Sequence, residues 1–192
     1  MNSIDRLKSS IETIISGSSV PEDPVHSKNT LKWLLKLKPD ADEALQIAAL
    51  GHDIERAIDE RKVRREDFEQ YDRFKAAHAH NSAEILKEIM LDCGVDETLI
   101  EQVSELVRRH EVGGDDRSDL LKDADSISYF DVNLRHYYKR HDWDETQRRC
   151  LWGYKRLSKK VKILAAALTF ENDELRALMR ITIEQDQQTR SS

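Results

Sequence analysis

The chain is poor in the residues that bend and staple small folds. It has six glycines, three prolines and two cysteines among 192 residues. So few turn residues argue against a sandwich or barrel, which needs many tight reversals. Cys93 and Cys150 stand in no CxxC or Cys/His zinc spacing, so they read as two reduced thiols. Long apolar runs are also missing. The longest, near Ile163 to Phe170, is far too short to span a bilayer. Asp5, Arg6 and Lys8 stand where a signal peptide would carry its apolar stretch. The expectation is a cytoplasmic protein with no membrane partner. An excess of positive charge is lacking too. The net charge is −6, so no extended nucleic-acid surface is expected, although local basic clusters suffice for a small phosphate.

What the chain does have is charge, at 35% of its residues, and apolar side chains at helical spacing almost throughout. Ile4, Leu7, Ile11, Ile14 and Ile15 form one stripe. A loop around Gly17 to Pro24 follows, then a helix expected from Val25 to Lys38. Pro39 to Asp42 reads as a turn ending in a helix cap, and the next helix is expected to reach Glu55 or beyond. Asp59 to Glu66 is a charged, exposed stretch. A long helical region includes Phe68, Phe74 and Ile89. Gly94 stops it, and Asp96 caps the next helix. Gly113 and Gly114 break that one, and Ser118 or Asp119 caps a helix through Phe130. Two further segments are expected, Asp144 to Leu157 and Lys159 to Glu184, with a frayed tail after Gln185. The fold class is all-α, in one domain.

Three features carry chemistry: His26, the pair His52-Asp53, and Asp125. Neutral imidazole and ionised carboxylate are ordinary ligands of divalent metals. Their spacing brings them together. His26 stands as far before Pro39 as His52 stands after it, thirteen residues each way. In an antiparallel helix pair, equal distance from the turn means equal height along the axes. His78 and His110 are likewise sixteen residues either side of Gly94. Asp123 competes with Asp125 for the last position. Arg56 and Lys75 sit one helical turn from His52 and His78, where they would meet a phosphate. His80 points elsewhere on its helix. His141-Asp142 repeats the dipeptide but reads as a helix cap, and His136 reads as interfacial. Trp33, Trp143 and Trp152 read as core or interface.

The order H…HD…D, with two histidines between, resembles the HD superfamily of metal-dependent phosphohydrolases. Val25-His26-Ser27 would hold the first ligand, Leu50-Gly51-His52-Asp53-Ile54 the HD pair, and Asp123-Ala124-Asp125-Ser126 the last. His78, followed by Ser82-Ala83-Glu84-Ile85-Leu86, is similar to a segment of the HD-GYP branch, as is His110-Glu111. That branch's GYP is absent: Val112-Gly113-Gly114 stands there. Some members carry a catalytic acid four positions after the HD histidine. Here Arg56 occupies that place and Glu55 lies one residue earlier.

The resemblance implies a single HD-type helical bundle over residues 1–192. A metal-site core would span about 20–135, with C-terminal helices about 140–186 packed on it. It implies one or two divalent ions (manganese, iron, nickel, cobalt, magnesium or zinc) held by His26, His52, Asp53, His78, His110 and Asp125. The expected activity is hydrolysis of a small phosphorylated substrate, a nucleotide best of all, by metal-activated water. Asp53 would bridge the ions, while Arg56 and Lys75 would neutralise phosphoryl oxygens. The same ligands on redox-active iron would serve an oxygenase. A non-catalytic module binding a nucleotide or a protein partner would keep the metal structurally. An oligomer is left open.

Overall fold

The computed structural model describes residues 2–191. Over these residues the chain is all-helical, with ten α-helices and no strand. Helix α1 (Ser3–Ser16) starts where Asn2 accepts the Asp5 N–H, and it buries Leu7, Ile11 and Ile15. Helix α2 (Asp23–Leu37) begins two residues before the expected Val25, because Pro24 fits a first turn that needs no N–H there. Asp42 caps α3 (Glu43–Gly51) by accepting the Leu45 N–H.

Helix α3 ends at Gly51, short of the expected Glu55. The chain passes through His52 and Asp53 into a 3₁₀ turn, Ile54–Ala57. Asp53 takes φ −107° and ψ 17°, outside the helical region. In a continuing helix, consecutive side chains diverge by about 100°. The break lets Asp53 turn back toward the ring of His52.

Residues 58–70 are irregular apart from a 3₁₀ turn at Arg65–Asp67, and Phe68 lies there rather than in the next helix. This charged stretch has no apolar stripe to bury. Helix α4 (Tyr71–Asp92) and α5 (Glu97–Arg109) form a hairpin. It turns at Gly94, whose φ of +72° is the left-handed conformation that glycine adopts freely. Asp96 caps α5 through the Leu99 N–H. Helix α6 (Asp116–Ser128) starts earlier than expected, because Asp115 accepts the N–H groups of Arg117 and Ser118. Asp119 instead accepts from the Gly114 N–H and from Lys122.

A π turn, Tyr129–Asn133, joins α6 to α7 (Leu134–Arg140). Helix α8 (Trp143–Arg156) follows its Asp142 cap, and Ser158 caps α9 (Lys159–Ala166). The expected Lys159 to Glu184 helix is interrupted at residues 167–172, where Asn172 caps α10 (Asp173–Ser191). The tail is not frayed from Gln185. Asp186 is buried, and the Lys162 ammonium donates to both its oxygens at 2.8 and 2.7 Å.

Helix α2 packs between α3 and α6, and α3 also meets α5. Leu34, Leu45, Ile47, Ile54, Leu86, Leu121 and Ile127 fill the space between these helices and are fully buried. Each contributes roughly 1.5–3 kcal/mol by leaving water. Gly51 has no side chain because Leu86 of α4 packs there: a Cβ would meet its Cδ2 at 2.9 Å. Helices α8 and α10 pair with each other, and α8 lies against α6.

Candidate metal centre

The paired helix hairpins bring four histidines to one end of the bundle. The rings of His26 and His52 lie 5.3 Å apart, those of His52 and His110 5.1 Å, and those of His78 and His110 5.8 Å. All four are buried, His110 completely. Asp125 and Asp53 face them. Asp125 Oδ1 is 3.1 Å from His26 Nε2 and 3.4 Å from His52 Nε2. Asp53 Oδ1 is 2.8 Å from His78 Nε2, 3.7 Å from His52 Nε2 and 3.8 Å from His110 Nε2.

Two triads result. His26, His52 and Asp125 each offer one donor atom, all within 4.8 Å of one another, and so do Asp53, His78 and His110. Asp53 therefore groups with the second pair of histidines, while its Oδ1 stays within reach of His52. His110, Glu111 and Asp125 meet the same distance, so the triads abut.

Each imidazole is oriented through its other nitrogen. His52 Nδ1 donates to the Ala49 carbonyl at 3.0 Å, and His110 Nδ1 to the Val107 carbonyl at 2.7 Å. His78 Nδ1 meets Glu55 Oε1 at 2.7 Å, and His26 Nδ1 meets Ser128 Oγ at 3.0 Å. The Ser128 hydroxyl donates to the His26 carbonyl, which leaves Oγ to accept from the ring. With Nδ1 carrying the proton, the Nε2 lone pairs point at carboxylate oxygens. His52 Nε2 and His110 Nε2 are buried and have no hydrogen-bond partner. Lone pair against carboxylate is repulsive unless a cation or a second proton lies between, so these residues fit a metal ion.

The electrostatics agree. Burial opposes ionisation of Asp53, but His52, His78 and Arg56 outweigh it and hold the carboxyl well below its usual range. Burial likewise opposes charge on Asp125, and His26 and His52 outweigh it. Burial disfavours charge on His52, yet Asp53 and Asp125 raise it to about 9. The two carboxylates demand positive charge, which protons or a divalent ion supply.

Asp123 is not part of the cluster. Its Oδ1 accepts the Ser158 N–H at 2.8 Å, so Asp125 is the α6 residue that faces the histidines. His80 is exposed. His141 is exposed and stacks on Tyr137, while Asp142 caps α8. His136 is half-buried, away from both triads. Arg56 lies beside Asp53 at 3.2 Å and Asp23 at 3.0 Å, and Lys75 is ion-paired with the buried Glu111.

A recess opens over His26, Asp53 and Asp125, bordered by Arg56, Lys75 and α8. It adjoins a groove of about 1570 Å³ that shares Arg56, Lys75 and Tyr129. Sequence reasoning missed the α8 wall. Trp152 is not a core residue there. It is half-buried in the recess beside Arg149 and Arg156. The spacing of Arg149, Trp152 and Arg156 puts them on one helical face, a signal present in the sequence. Glu55 and Glu111 were also unassigned. Burial opposes charge on Glu55, while His78, the Val63 N–H and Asn81 hold it ionised, so it orients His78 rather than donating a proton.

A family model described as a domain of unknown function, DUF4202, matches residues 2–179. The chain belongs to this family. DUF4202 membership thus covers α1 to α9 and the start of α10, both triads and the recess, and carries no assigned activity. No curated protein and no solved structure gives a match. Among the described residues no helix is long and apolar enough to cross a membrane.

Proposed function

We propose that this chain is a metal-dependent phosphohydrolase of the HD type, acting on a small phosphate ester, with nucleotides the first class to test. The observation that carries the reading is the convergence of four oriented Nε2 atoms on two ionised carboxylates beneath a recess walled by cations. His26, His52 and Asp125 would hold one divalent ion, and Asp53, His78 and His110 a second. Bound there, such ions lower the pKa of water and neutralise phosphoryl charge.

The chain's own groups do the rest. Asp53 directs Oδ1 at both histidine pairs while its Oδ2 accepts from Arg56. Arg56 keeps that carboxylate ionised and oriented. Glu55, Ala49, Val107 and Ser128 keep each imidazole in the tautomer that presents Nε2 inward. Lys75 and Arg156, both on Glu111, put positive charge on the recess wall, where phosphoryl oxygens gain it. The test is a panel of phosphate esters, nucleotides included, offered to the protein loaded in turn with manganese, iron, nickel, cobalt, magnesium and zinc. Turnover that disappears with a chelator and returns with metal is expected. A folded, metal-loaded protein that hydrolyses none of the panel rejects the reading.

A further inference from the structure

Arg149 stands apart from the other cations of the recess. Arg56 is matched by Asp53 and Asp23, while Lys75 and Arg156 share Glu111. Among the described residues Arg149 has no carboxylate partner and no side-chain hydrogen bond. Its guanidinium lies against two rings instead, 4.7 Å from the Tyr129 centroid and 4.4 Å from that of Trp152. Arg156 lies over Trp152 as well, at 4.3 Å. The indole therefore meets two guanidinium groups on one wall.

Several donors on this wall are buried and idle. Arg149 Nη1, Arg156 Nε and Nη2, and the Tyr129 hydroxyl have no hydrogen-bond partner. All three residues border the recess that holds His26, Asp53 and Asp125. Buried donors without partners are unfavourable, and a cluster of them calls for a ligand that completes it. The rings are no hydrogen-bond acceptors of the carboxylate kind, and Arg149 Nη1 is left unpartnered beside them. Guanidinium N–H groups bind oxyanions, often two oxygens at once. The π turn between α6 and α7 contributes here. Its first residue, Tyr129, and its last, Asn133, both line the recess.

We infer that Arg149, with Arg156 and Tyr129, forms a binding site for the phosphoryl group, opposite the two triads. A carboxylate has two oxygens. A phosphomonoester has three outside its ester bond, enough to meet the donors of Arg149 and Arg156 and still face the histidine side of the recess. This deepens the phosphohydrolase reading and rests on it only for what happens to the ester after binding.

The experiment is calorimetric titration of the manganese-loaded full chain with inorganic phosphate, and separately with acetate. Wild type is expected to bind phosphate at least tenfold more tightly than acetate. Arg149→Gln is expected to lose at least tenfold in phosphate affinity, with manganese stoichiometry and helical circular dichroism unchanged. Arg149→Lys keeps the charge without the planar pair of donors, and is expected to lose severalfold. It also serves if the glutamine variant does not fold. Wild-type phosphate affinity in a folded variant of either kind overturns the assignment, as does a wild type that binds no phosphate or prefers acetate. Phosphate binding that depends on Arg149, without turnover of any ester, leaves this site standing and removes the hydrolase reading instead.

Discussion

The two triads use the same donor types but are supported differently. In the first, His26 and His52 lean on neutral groups, the Ser128 hydroxyl and the Ala49 carbonyl. In the second, His78 leans on the buried, ionised carboxylate of Glu55, and Glu111 Oε1 lies 3.2 Å from His110 Nε2. Glu111 is itself held well below its usual range: burial opposes its charge, and Lys75, His110 and Arg156 outweigh it. The second triad thus has two further carboxylates in its surroundings, although Glu111 is already paired with Lys75 and Arg156. A carboxylate behind an imidazole makes it a more basic ligand. A carboxylate therefore backs an imidazole in the second site, where neutral groups back those of the first.

Asp53 is where the comparison breaks most severely, because its Oδ1 approaches histidines of both triads. Asp53→Asn keeps the size and removes the charge. Metal content is expected to fall at both sites and metal-dependent hydrolysis by at least about 100-fold, with the helical fold retained. Next come the single-site losses. His110→Ala is expected to leave one bound ion and His26→Ala the other, as read by elemental analysis. Unchanged stoichiometry in both variants would return these histidines to a structural role. The supports sharpen the contrast further. Glu55→Gln is expected to weaken the second ion by about 10–100-fold, whereas Ser128→Ala weakens the first by less. Equal losses would remove the distinction between charged and neutral support.

Acidity offers another check. His52 titrates near 9 in the ion-free protein because Asp53 and Asp125 favour its charged form against the effect of burial. A metal needs the neutral ring, so below that value binding must displace a proton. Affinity of the first triad is expected to rise with pH and to level off above about 9, measured by metal titration across that range. The smallest effect belongs to the second HD dipeptide. Asp142→Asn alters only a cap on α8, and asparagine caps nearly as well as aspartate, so stability changes by under about 1 kcal/mol. Metal content and turnover are expected to remain those of wild type.

Much of this was legible in the sequence because helical hairpins convert spacing into height. Equal offsets about Pro39 and Gly94 pair His26 with His52 and His78 with His110, each pair at one height in its own hairpin. Caps at Asp42 and Asp96 were legible for the same local reason, a side chain that competes for the first N–H groups. The break after Gly51 was not, because the helical pattern of the sequence continues through Ile54 while the chain leaves the helix at His52 and Asp53. The choice of Asp125 over Asp123 rested on the family resemblance alone. Both lie on α6, and only the N–H of Ser158 shows which one turns away. The α8 wall went unread because a tryptophan among arginines looks the same at a surface, in a core or beside a ligand. Glu55 and Glu111 became meaningful only with the partners that bury them.

The central claim is that six side chains from α2 to α6 form two adjoining metal sites. Its most direct test is a titration of metal-stripped wild type with manganese, followed by elemental analysis of the protein freed of unbound ion. Two ions per chain are expected, with the second triad's ion lost selectively in His110→Ala. A wild type that retains no metal at either triad would contradict the account.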